Sequence, residues 1–162
     1  MNNKTINRGW LLALFVLLAA TARSQGFSQD GLYYKVLSAD DKTCELTQRP
    51  TGSEDECGSD VTIPATVTSN GVSYSVIAIG SGAFDNCAIS KITIPSSIGR
   101  LDDDALAVKN YIPRIYINRT TPPITSDYAF TNASLTKGNV TAYVPKGCLS
   151  NYQSHSIWRR FN

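Results

Sequence analysis

The spacing of apolar residues changes along the chain. From Trp10 to Ala20 they run unbroken as WLLALFVLLAA, within residues 30–47 and 65–80 they mostly alternate with polar residues, and from Ala83 onward they return in blocks. Alternation with period two is the pattern of a strand that buries one face. The stretch DGLYYKVLSADDKTCELT therefore predicts a hairpin turning at SADD. ATVTSNGVSYSVIAIG predicts a second hairpin that turns on Asn70-Gly71, the strongest short hairpin signal.

The later blocks keep step with one another. The pair Ala83-Phe84 recurs as Ala105-Leu106 and Ala129-Phe130, offsets of 22 and 24, and an apolar column follows five residues later at Ile89, Tyr111 and Leu135. A second signature, apolar-x-apolar followed by Pro or Asn, reads VTIP at Val61, ITIP at Ile92, IYIN at Ile115 and AYVP at Ala142. Two columns with one period in the low twenties define a leucine-rich-repeat type of solenoid. In ITIP the alternation turns Ile92 and Ile94 inward and Thr93 outward, and Pro95 ends the strand because it has no N–H to donate. Gly99 in the following SSIG supplies a residue able to take positive φ. Each repeat is thus expected to be a coil with one short strand and one irregular or helical side. One coil cannot cover its own apolar face, so neighbours must stack. At the end, VPKGCLSNYQSHSIWRRFN spaces Leu149 and Tyr152 three apart, with Ile157, Trp158 and Phe161 beyond. This predicts a short helix that lays aromatic rings over the last coil.

The apolar run near the start alters the picture of charge and location. Lys4 and Arg8 precede it, small residues follow it, and it is far shorter than the roughly 20 residues that span a bilayer. That is the build of a secretory signal peptide, with small-x-small cleavage points after Ala22 and after Ser24. Residues 1–24 are assigned to it, and residues 25–162 to a single repeat domain with a β cap over 25–75, repeats over 76–144 and a C-terminal cap over 145–162. The first cysteine is Cys44, so lipid attachment at a mature N-terminal cysteine is not expected. Cleavage after Ser24 removes three of the 15 basic residues, Lys4, Arg8 and Arg23, and none of the 13 acidic ones. A near-neutral chain with no basic block lacks the footprint of a nucleic-acid binder or of a protein held on an anionic membrane.

With these residues in view, IAIGSGAFDNCAISKITIP, VTIPATVTSNGVSYSV and YVPKGCLSNYQSHSIWRRF resemble the BspA-type leucine-rich repeat proteins exported by Bacteroidetes-like bacteria, over roughly residues 30 to 162. The resemblance implies an α+β fold leaning to mainly β: a short solenoid of about three coils with an N-terminal β-hairpin cap and a short C-terminal capping helix. It also implies a secreted, periplasmic or cell-surface protein without a membrane span after signal cleavage, often one that adheres to host proteins or other cells. It carries no shared active site and no cofactor. The second repeat departs from the pattern, with Leu101 to Asp104 in place of the usual Ile-Gly and Lys109 where the first has Cys87. The third repeat has Ala133 there and an inserted TKGN before its strand.

A solenoid usually presents its strand face to partners. The outward positions are Thr62, Thr93, Tyr116 and Tyr143, with Lys91 and Arg114 one residue before their strands as flanking charges. Tyrosine and arginine are strong interface anchors; the competing reading is that such tyrosines only support their cross-strand neighbours. These six are the candidate partner-binding residues, and the partner class is protein. The alternative reading is a structural accessory subunit of a periplasmic or surface assembly.

Other motifs read as structural. Adjacent Asp102, Asp103 and Asp104 suit a helix N-cap and solvated turn better than calcium, which needs spaced oxygen ligands. Glu54, Asp55, Glu56 and Asp60 read as a solvated loop rather than the fixed carboxylate pair of a glycosidase. Cys44 and Cys57 flank that loop and are expected to form a disulfide, with Cys87 buried and reduced. No paired Cys spacing suggests zinc. The only histidine, His155, lacks a nucleophile at workable spacing, so no catalytic residue is assigned. Sequons at Asn118, Asn132 and Asn139 are read as accidental in a bacterial protein.

Overall fold

A computed structural model describes residues 26–52, 57–109, 111–130 and 140–161. The segment assigned to the signal peptide, most of the acidic loop (Glu54, Asp55, Glu56), Leu135, the TKGN insertion, and Asn132 and Asn139 lie outside the described residues.

The described residues begin with three antiparallel strands, β1 (Gly26–Gln29), β2 (Leu32–Ser38) and β3 (Thr43–Leu46). The β2–β3 hairpin turns through SADD as its alternation requires, placing Tyr34 opposite Leu46 with both side chains fully buried. β1 joins through Asp30-Gly31, whose φ angles of 53° and 75° match the tight two-residue turn that a DG pair favours. After β4 (Asp60–Thr62) comes the second hairpin, β5 (Thr66–Ser69) and β6 (Val72–Ile79). Its turn residues Asn70 and Gly71 have φ of 49° and 77°, the conformation read from the sequence.

The remaining strands, β7 (Lys91–Ile94), β8 (Arg100–Leu101), β9 (Arg114–Ile117), β10 (Ile124–Thr125) and β11 (Thr141–Tyr143), build the solenoid. β4, β7, β9 and β11 pair in that order, all parallel, in one sheet. Val61, Ile92, Ile115 and Ala142 are in register, the first three buried. The far side of each coil is more regular than expected. β8 and β10 extend β6 into a second parallel ladder, with Ile79, Leu101 and Thr125 in register. Gly99 is not in the left-handed region; its N–H donates to Ile77 O at 2.8 Å, and Ile124 N–H donates to Gly99 O at 2.9 Å. Its role is to carry the ladder, not to turn the chain.

The repeated Ala-Phe or Ala-Leu pairs form a third stack between the two ladders. All six side chains are buried, and Leu106 N–H donates to Ala129 O at 2.7 Å, joining two coils. Lys109 N–H donates to Cys87 O at 3.0 Å, so these positions are equivalent, as the repeat alignment has it. One column slips: Ile89 is buried, but Tyr111 is exposed and the adjacent Ile112 takes the inward place. Asp102 to Asp104 form a turn with no helix behind it, so the expected N-cap has nothing to cap.

The C-terminal cap is a five-residue helix, α1 (Leu149–Gln153), followed by a short 3-10 turn at Trp158–Arg160. Tyr152 is buried, and its hydroxyl donates to Arg119 O at 2.8 Å. The Trp158 indole donates to Thr125 Oγ1 at 2.9 Å and meets Phe130 edge-on at 5.4 Å. Phe161 packs on Phe130 at 4.9 Å. The aromatic residues lie over the last coil as predicted, whereas Leu149 stays exposed.

Candidate interaction face

The parallel register decides which side chains meet on the outer face of the β4–β7–β9–β11 sheet. Successive residues of a strand alternate between faces, so the residues flanking the buried Val61, Ile92 and Ile115 point outward together. They make two rows across the strands. One is Thr62, Thr93, Tyr116 and Tyr143; the other is Asp60, Lys91, Arg114 and Thr141. All six candidate residues read from the sequence therefore share one face. Lys91 and Arg114 are the first residues of β7 and β9 rather than flanks, which places them two residues from Thr93 and Tyr116 on the same side.

Asp60 belongs here as well, not to the acidic loop. Lys91 Nζ lies 2.7 Å from its carboxylate. The signal for this pair is present in the sequence: aligning DVT, KIT and RIY by their central apolar residue sets Asp60 beside Lys91.

These side chains form a chain of contacts. The Lys91 ammonium sits over the Tyr116 ring, 5.8 Å from its centre, and the other large neighbour of that ring is Tyr143, stacked at 4.5 Å with planes 7° apart. Cation–π and stacking contacts of this kind are each worth about 0.5–1.5 kcal/mol. Tyr116 is accordingly half-buried and acts as the middle of the stack. Tyr143 is 44% exposed, and Arg114 is exposed. Lys91 has its carboxylate in Asp60; among the described residues no acidic side chain pairs with Arg114.

The cysteines correct the expected disulfide. Cys57 is bonded to Cys87, with Cα atoms 5.5 Å apart, and not to Cys44. Cys44 is an inward residue of β3, beside Val76 in the ladder, fully buried and a free thiol. Burial, with a smaller push from Glu45, raises its thiol to a pKa of about 11, so it stays a neutral thiol. Cys57 and Cys87 precede β4 and β7, and stacking of those neighbouring strands brings them together. Cys87 does face inward, but oxidised. The Arg49 guanidinium lies against both sulfurs.

The remaining motifs diverge. Asp102 is paired with Arg100 at 2.7 Å, Asp103 accepts a hydrogen bond from the Ser126 hydroxyl, and Asp104 bonds through its backbone to Tyr128 O. No group of three or more metal-ligating side chains converges among the described residues. His155 Nδ1 accepts the Ile157 N–H at 3.2 Å, and desolvation holds the imidazole below its ordinary pKa, with Asp127 pulling weakly the other way. No helix among the described residues is long and apolar enough to cross a membrane.

Two ladders of short parallel strands, joined by stacked Ala-Phe turns and closed by an aromatic cap, define a leucine-rich repeat solenoid. The BspA type leucine rich repeat family model matches residues 59–154 in six copies, more than half of the chain, and the protein belongs to that family. No curated protein matches the chain significantly. Two crystal structures are similar in fold. One is a leucine rich cell surface protein from Faecalibacterium prausnitzii, with a TM-score of 0.55 and 19% identity over 74% of this chain. The other is a leucine-rich repeat protein from Bacteroides capillosus, with a TM-score of 0.52 and 21% identity over 74% of this chain. The match spans 31% of the first protein's chain and 98% of the second's.

Proposed function

We propose that the protein is an exported, non-catalytic binding module that uses the outer face of β4, β7, β9 and β11 to hold another protein at the bacterial surface, in an adhesive role. The observation that carries this is the register: four independent strand signatures align their outward residues into one surface, with a stacked tyrosine pair beside an arginine that has no acidic partner among the described residues. Rigid aromatic side chains supply contact area at low entropic cost, arginine supplies a fork of hydrogen-bond donors, and both recur at the energetic centres of interfaces. A preformed face also avoids the ordering cost that weakens flexible binders. The strands are fixed from both sides, by the Cys57–Cys87 bond at one end and by the aromatic cap at the other.

The test is capture with the immobilised mature protein, offered host extracellular-matrix proteins and the envelope extract of the source cell in parallel. The proposal predicts a protein that is retained by the wild type and lost from a folded variant carrying Tyr116→Ala and Tyr143→Ala. Equal retention by that variant would discard the face.

A further inference from the structure

Within that face the free chemistry is concentrated in two side chains, and we infer that they select an acidic, extended protein segment in which a carboxylate stands two residues from an apolar or aromatic side chain. This inference rests on the binding reading above and narrows it to a partner chemistry.

Among the described residues, the charges on the face do not balance. Asp60 and Lys91 neutralise one another at 2.7 Å, and the Lys91 ammonium is further occupied by the Tyr116 ring. Arg114, next in the same row, is exposed and has no acidic partner among the described residues. A guanidinium offers a planar fork of donors that fits a carboxylate in two parallel hydrogen bonds, which an ammonium cannot do. The ligand group matched to Arg114 is thus an oxyanion, and in an unmodified protein segment that group is a carboxylate.

The second group is Tyr143. Tyr116 has its ring engaged by Lys91 and by Tyr143, so Tyr143 alone of the pair presents substantial open surface. Arg114 sits on β9 opposite Thr141 of β11, and Tyr143 lies two residues further along β11. From one strand to the next is about 4.8 Å, and two residues along a strand is about 6.7 Å, so the two anchors are about 8 Å apart at their backbones. In an extended peptide, side chains on one side recur every two residues, about 6.7 Å apart. Long side chains close the difference, so the pattern that fits is acidic-x-apolar. A flat, extended partner is also what a sheet face of short side chains, Thr62, Thr93 and Thr141, leaves room for.

The experiment uses the folded protein, isotope-labelled for NMR and titrated at millimolar concentration with two defined probes. These are a blocked Gly-Glu-Ser-Phe-Gly peptide and its Gly-Gln-Ser-Phe-Gly counterpart, with polygalacturonate as an acidic glycan in a third titration. The Glu peptide is expected to shift the Arg114 side-chain and Tyr143 ring signals and to bind about two- to fivefold more tightly than the Gln peptide, the range of one exposed ion pair. Arg114→Gln is expected to erase that difference, as is high salt. Equal binding of both peptides at Tyr143 overturns the acidic preference and leaves the binding face standing. Shifts confined to another surface, or none with either peptide, overturn the inference outright. Tighter binding of polygalacturonate than of the Glu peptide overturns it in favour of an acidic glycan.

Discussion

Tyr116 and Tyr143 stack with their planes 7° apart because β9 and β11 pair in parallel and in register, residue for residue. In a solenoid the same outward position of each coil comes to lie beside its equivalent, so a repeat that happens to carry tyrosine twice running produces a stacked pair. The stability and binding roles of that pair are separable by experiment. In a double-mutant cycle, Tyr116→Ala and Tyr143→Ala are expected to show a coupling energy of about 0.5–1.5 kcal/mol in urea unfolding. Additive effects would mean that the rings do not interact in solution.

The disulfide should behave as a link between coils. Cys57 and Cys87 are 30 residues apart. Closing a loop of that length in the unfolded chain stabilises the fold by about 3–4 kcal/mol. Cys87→Ser, or reduction of the wild type, is expected to lower stability by that order, measured by denaturant unfolding with and without reductant. Peptide mapping of the alkylated protein should find Cys44 and Cys148 as the free thiols. A Cys44–Cys57 peptide would contradict the structure.

Trp158 holds the aromatic cap. The chain has two tryptophans, and the other, Trp10, lies in the segment assigned to the signal peptide, so selectively excited tryptophan fluorescence of the mature protein should report on the cap alone. Trp158→Ala is expected to cost about 3–5 kcal/mol through lost packing on Phe130, Tyr152 and Phe161. Trp158→Phe keeps part of that packing but loses the bond to Thr125, so its cost should be smaller. Equal thermal unfolding of both variants and the wild type would show that the cap is not part of the cooperative unit.

His155 gives the cap a pH dependence. Its folded pKa is lowered by desolvation, and protonation would also break the hydrogen bond that Nδ1 accepts from Ile157. Above its ordinary value of about 6.5 the side chain is neutral in both states and contributes no slope. As pH falls below that value the unfolded chain takes up the proton first, so stability declines until the folded pKa is passed and then levels off. Melting temperatures from pH 7.5 down to pH 5 should therefore fall more steeply for the wild type than for His155→Gln. Parallel curves would show that the histidine does not set this dependence.

Much of this fold could be read from pattern because its signals are local and repeated. The Asn70-Gly71 turn, the alternation in β7 and β9, and the spacing of Ala83-Phe84 and its equivalents each depend on a few neighbouring residues. The strands β8 and β10 escaped the reading because two residues are too few for alternation to register, and their pairing is set by the coil as a whole. The disulfide is hidden from the sequence for a related reason. Sequence distance favoured Cys44 with Cys57, whereas stacking makes residues one coil apart into neighbours and sends Cys44 into the core. Tyr111 failed as a column residue because one extra position before β9 shifts the inward place to Ile112. The interaction face was legible as a column, and the same alignment of DVT with KIT sets Asp60 beside Lys91; what the sequence leaves open is the contact itself, because a 2.7 Å ion pair depends on the rotamers of two long side chains.

Whether the outer face of β4, β7, β9 and β11 binds the partner is decided by the captured protein's affinity for single-site variants on opposite surfaces of the solenoid. Tyr143→Ala lies on the outer face of β11, and Ile124→Ser replaces an exposed residue of β10 in the other sheet. Tyr143→Ala is expected to weaken binding about tenfold or more, equivalent to at least about 1.4 kcal/mol, and Ile124→Ser to leave it unchanged. The reverse pattern, or an affinity unmoved by Tyr143→Ala in a protein of unchanged stability, would contradict the binding face.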